Sequence, residues 1–191
     1  MSGPTSFGYQ NLGFGAGVSE AAGALTLIES QTPSGASVVN FTTLGTYKVH
    51  LFTFENIHTS SDNRDLFSRV LVGGSEQSGA SDYSRAFQAC APSYFYEDAD
   101  PDLHSIRHLP EIGVAANESL HGRIYMYNAV DNTKLTAFTQ EFTAIKFDGK
   151  TLSNFGGAVY QQENTLSGIR FYWNAGNIAS GTIKLFGLEE S

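Results

Sequence analysis

From Val38 onward the chain is a series of short β-branched or aromatic runs cut by clusters of Gly, Asn, Asp and Ser. The runs are SVVNF (37–41), TYKVHLFTF (46–54), DLFSRVLVG (65–73), GRIYMYN (122–128), AFTQEFTAIKF (137–147), GGAVYQ (156–161), GIRFYW (168–173) and GTIKLFGL (181–188). Alternation with a period of two puts apolar side chains on one sheet face, and turn residues at such close spacing leave little room for helices. The expectation is an all-β, antiparallel β-sandwich of about eight strands over residues 37–191. In TYKVHLFTF both faces carry apolar groups, with Tyr47, Val49 and Leu51 on one side and Phe52 and Phe54 on the other. Such a strand is expected to be covered twice, by a second sheet and by an arm or a neighbouring subunit.

Residues 1–36 differ in kind. Gly3, Gly8, Gly13, Gly15, Gly17, Gly23 and Gly35 are spread among Ser, Thr and Ala, with Phe7, Tyr9, Leu12 and Phe14 set between them. Glycine-rich backbone loses much entropy on ordering, so these four residues are expected to form an arm that needs a surface to dock on. A short helix over Val18–Ala24 is interrupted by Gly23. Two further segments do not read as strand. Residues 56–65 are a polar connection, and residues 88–113 read as a long loop insertion whose aromatics Tyr94, Phe95 and Tyr96 mark a partner contact.

The formal net charge is −8, charged residues make up only 16%, and no run of Lys or Arg occurs, which argues against direct nucleic-acid binding. No apolar stretch approaches a membrane span, and no secretion signal or anchor is legible. Cys90 is the only cysteine, so no disulfide forms within the chain, as suits synthesis in a reducing cytoplasm.

The search for chemistry returns little. G-x-S-x-G does not occur, and no Ser–His arrangement stands out. His104 and His108 in HSIRH would share a helix face, but Ser105 stands where a zinc-protease pattern needs Glu, so they read as polar residues of an exposed turn. Asp98, Asp100 and Asp102 alternate as calcium-loop ligands do, yet the turn Gly and distal Glu are missing and Leu103 follows, leaving a solvated acidic loop as the plainer reading. GFGAG (13–17) lacks the spacing and the Lys-Ser/Thr of a phosphate cradle. No catalytic residue, metal or cofactor is expected. Tyr94, Phe95, Tyr96, Tyr125, Tyr127, Tyr172 and Trp173 are candidates for stacking on a sugar ring, although half of such residues on alternating strands belong to the core and others meet a subunit.

The stretch IRFYWNAGNIASGTIKLFGL (169–188) holds two apolar-faced strands around a turn-forming loop. Ile169, Phe171 and Trp173 share a face, and Gly176, Asn177 and Gly181 tolerate left-handed backbone, so these six residues read as a structural seam. The stretch also resembles the C-terminal signature of small β-sandwich structural proteins of tailed bacteriophages. FENIHTSSDNRDLFSRVLVGG (54–74) and GRIYMYN are similar to earlier strands of that family. The resemblance implies a non-enzymatic virion component with a jelly-roll-like sandwich, assembled in the host cytoplasm, most simply a homotrimeric capsid decoration (cement) protein contacting the major capsid protein or other virion proteins. A tail-fibre or baseplate module binding host glycans is the alternative. The resemblance implies no cofactor.

Overall fold

The computed structural model describes residues 24–188. Among the described residues there are thirteen strands: β1 (Leu25–Gln31), β2 (Val39–Phe41), β3 (Val49–Thr59), β4 (Arg64–Val72), β5 (Ser75–Glu76), β6 (Tyr83–Ala91), β7 (Tyr94–Leu103), β8 (Ile106–Ile112), β9 (Leu120–Tyr127), β10 (Thr136–Ile145), β11 (Thr151–Tyr160), β12 (Gly168–Trp173) and β13 (Ile178–Leu188). The described residues contain no helix. Every named pairing is antiparallel, as expected from hairpin-length connections.

Eight strands form one sheet in the order β1-β13-β3-β9-β10-β11-β6-β7. The other five form a smaller sheet, β2-β12-β4, in which β5 and β8 both pair with β4. The apolar sets read from the sequence meet between the two sheets. Phe171 of the small sheet lies edge-on to Phe52 and Phe54 of the large one, with ring centroids 5.3 and 5.0 Å apart. Phe41 and Phe142 complete this aromatic centre.

Three expectations are corrected. The strand count exceeds eight because β1 and β5 also form and because the 88–113 segment is not a loop: most of its residues belong to the end of β6, to β7 and to β8. Strand β7 is the edge of the large sheet, and its sequence YFYEDADPDL carries the charges and the proline that edge strands tolerate and central strands do not. Its polar composition concealed it. The expected arm is also shorter, since Leu25–Gln31 form β1 on β13 and Ala36 bridges Ile178. Finally, Tyr47 precedes β3 and packs its ring near His50, at a centroid distance of 6.2 Å, rather than sharing the face of Val49 and Leu51. Phe7, Tyr9, Leu12 and Phe14, and residues 18–23 of the expected helix, lie outside the described residues.

Candidate functional site

The inward residues of the large sheet are consumed by the core, so its outward residues are what it offers a partner. Strand register sets them in rows. Leu25, Leu188, Val49, Tyr127, Ala137 and Val159 are successive cross-strand neighbours. The next row runs Leu27, Phe186, Leu51, Tyr125, Thr139 and Gly157. Leu25 and Leu27 are 51% and 53% exposed at the sheet edge, while Leu51, flanked by Phe186 and Tyr125, is buried. Tyr125 and Tyr127 stack at 6.3 Å. A third row begins Lys184, Thr53, Arg123, Glu141, and its charges pair as Lys184–Glu55 and Arg123–Glu141. The outer face is thus an apolar half bordered by a charged one, the anatomy of an interface core and rim.

A second surface lies at one side of the sandwich, where edge strand β7 passes beside β8. Asn63, Arg64, Asp65, Tyr94, Tyr96, Arg107, Pro110, Glu111 and Asn174 line a cleft of about 720 Å³. They come from the polar 56–65 connection, the 88–113 segment and the loop after β12. All three stand apart from the alternating apolar runs in the sequence, and the fold brings them together.

Ion pairs fix the cleft's floor. Asp98 of β7 accepts from Arg85 at 2.8 Å and from Arg107. Arg107 also reaches Asp65 at 3.4 Å, and the other oxygen of Asp65 accepts the Glu111 backbone N–H at 3.0 Å. The Asp65 N–H in turn donates to the Asn174 side-chain carbonyl at 3.2 Å. Lys146 Nζ bridges the Glu111 carboxylate and the Tyr94 hydroxyl, both at 2.8 Å. Burial works against the charge of Lys146, but the hydrogen bonds to Glu111 and Tyr94 outweigh it and hold its pKa above the ordinary value. Burial pushes the Tyr96 hydroxyl up to about 12, so it stays a neutral donor.

Glu111 has a φ of 65°, left-handed backbone that a non-glycine residue adopts at a cost. It sits where the β4–β8 register slips between Arg64 and Leu66. The bulge turns the Glu111 amide onto Asp65. Sequence alone gives no signal for this residue.

The loop aromatics separate in role. Phe95 is 82% exposed on the outer side of the large sheet, paired in register with Cys90. Tyr94 and Tyr96 face the cleft, their rings 6.0 Å apart. The seam residues Ile169, Phe171 and Trp173 are buried in β12, which removes Trp173 from the sugar-stacking candidates. Gly176 and Gly181 have φ of 79° and 119°. The Asn177 N–H donates to Ser60 Oγ at 2.8 Å, tying the seam loop to the 56–65 connection. Tyr172 stacks on Phe67 outside the small sheet.

The acidic triplet is a strand, not a loop, and Asp98 is spent on two arginines. Among the described residues no group of three or more His, Cys, Asp or Glu gathers as for a metal. His104 is exposed, but His108 is fully buried, correcting its assignment to an exposed turn. His108 Nδ1–H donates to Gln140 Oε1 at 2.6 Å, and Ser68 Oγ–H donates to Nε2 at 2.7 Å. This Ser–His pair is sealed between the sheets. His121 lies 3.2 Å from Ser119 Oγ, but its Nδ1 accepts the Asn56 backbone N–H, leaving no place for an orienting acid there.

No family model, curated protein or solved structure matches the chain.

Proposed function

We propose that this chain is a non-enzymatic structural protein of a tailed-bacteriophage virion, a jelly-roll-like capsid decoration (cement) protein that works as a homotrimer. It meets the major capsid protein or another virion protein through the outer face of its large sheet. The observation that carries this reading is the pair of apolar rows from Leu25 and Leu27 to Val159 and Gly157, bordered by paired charges. A contiguous apolar sheet face of this kind is a protein-contact surface, and a lattice of many copies needs only modest affinity per copy. The resemblance of residues 169–188 to phage structural proteins supplies the class of particle. The Ser–His pair locked in the core and the Asp98 carboxylate spent on two arginines support a non-enzymatic role.

Copy number tests the proposal. Quantitative mass spectrometry of purified particles should find the chain at hundreds of copies spread over the head. A few copies confined to the tail would overturn it in favour of the tail-fibre or baseplate alternative, for which the Tyr-lined cleft is the supporting observation.

A further inference from the structure

We propose that the cleft between β7 and β8 is a binding site for a carboxylate-bearing sugar. Of the six arginines, Arg69, Arg85, Arg107, Arg123 and Arg170 each hold a carboxylate, whereas Arg64 has no acidic partner among the described residues. Arg64 lines the cleft, and its Nε is buried with no hydrogen-bond partner. A guanidinium with a buried donor and no acidic partner among the described residues is satisfied by a planar carboxylate, which its fork matches.

The remaining lining selects a sugar over a bare anion. Tyr94 and Tyr96 offer ring surface for sugar C–H groups and hydroxyls for hydrogen bonds. Glu111 Oε1 and the Asn174 Nδ2 amide have no partner among the described residues, leaving an acceptor and a donor for ring hydroxyls. The Asp65 and Glu111 carboxylates also repel a phosphate dianion more strongly than a monoanionic sugar, whose single charge Arg64 can match. The left-handed Glu111, held by Asp65 and by the Phe147 N–H donating to its carbonyl at 3.1 Å, is backbone strain stored at the site. The volume falls within the range of small-ligand sites.

The inference holds wherever the protein sits in a particle, and copy number does not bear on it. The test is an amide chemical-shift titration of the full chain with methyl galacturonoside, a monoanionic sugar acid, and, in parallel, with its methyl ester, which keeps the shape and removes the charge. The acid is expected to move amides at residues 63–65, 94–96, 107–111 and 174, with the ester binding at least ~10-fold more weakly. Arg64→Gln should bring the acid down to the ester's affinity while leaving the ester unchanged. Tyr94→Ala should weaken both ligands, and Arg123→Gln on the outer face neither. Thermal melts confirm that each variant is folded. Equal binding of acid and ester, undiminished acid binding by folded Arg64→Gln, or no shifts at about 10 mM acid would each overturn the proposal.

Discussion

Acid should loosen this fold through one imidazole. His108 is fully buried, held by Gln140 and Ser68, while its carbonyl accepts from Gln140 Nε2 at 2.9 Å and from Asn154. Burial lowers its pKa from 6.5 to about 4, with the Gln140 hydrogen bond opposing that shift and the Arg85 charge adding to it. The folded pKa lies below the unfolded one, so as pH falls the unfolded chain takes up the proton first. The neutral-His contribution is complete above the unfolded value and is lost as pH drops toward the folded value. Linkage over that interval gives a loss of about 2.5 kcal/mol between about pH 7.5 and about pH 4.5. His50, also buried and shifted down by burial, adds in the same direction. Urea unfolding of wild type and His108→Gln at both pH values isolates His108, because the glutamine offers an amide donor and acceptor but cannot titrate. The variant should be less stable than wild type near neutrality, yet lose about 2.5 kcal/mol less on acidification. If both proteins lose stability equally, His108 is not the acid-sensitive group and the reasoning fails.

Trp173 is 3% exposed behind Phe171, so Trp173→Ala should cost about 3–5 kcal/mol in a urea melt through lost burial and a cavity. Its Nε1 is buried without a hydrogen-bond partner, so Trp173→Phe should cost far less; equal losses would contradict the packing account. Gly181 has a φ of 119°, and a Cβ there would stand 2.6 Å from the Asn56 carbonyl oxygen. Gly181→Val should therefore destabilise by about 1–3 kcal/mol or more, and an unchanged melt would refute it. Deleting residues 2–17, which lie outside the described residues, should leave the sandwich's melting temperature intact but weaken oligomerisation or particle attachment, measured by light scattering and by co-sedimentation. Normal assembly would deny the arm that role.

What the sequence made legible follows from which strands bury a face. Strands β3, β4, β10 and β12 each pack one side against the opposite sheet, and their apolar periods announce it. The double apolar character of β3 follows from its place inside the large sheet: Phe52 and Phe54 face the core, while Val49 and Leu51 belong to the outer apolar rows. Strands β1 and β7 are the two edges of the large sheet. An edge strand needs less apolar pattern, so LTLIESQ passed for the end of a glycine-rich arm and YFYEDADPDL for a loop. Backbone pairing, unlike burial, leaves little mark on side-chain composition, and β6 and β8, which do bury a face, are masked by the Arg, Gln, His and Pro that break their apolar runs.

The same distinction explains why the cleft was legible in parts and not as a site. Tyr94 and Tyr96 were singled out for partner contact, and Asn174 belongs to the turn-forming loop of the seam. Nothing in their spacing brings them beside Arg64, 110 residues before Asn174, because that juxtaposition arises from β4 pairing with both β8 and β12. Glu111 is more extreme, since its left-handed backbone is imposed by a register slip between two strands rather than by any local residue preference. Sites of this kind are assembled by topology from residues that are locally unremarkable. In this sandwich they fall where an edge strand leaves polar side chains facing the end of the other sheet.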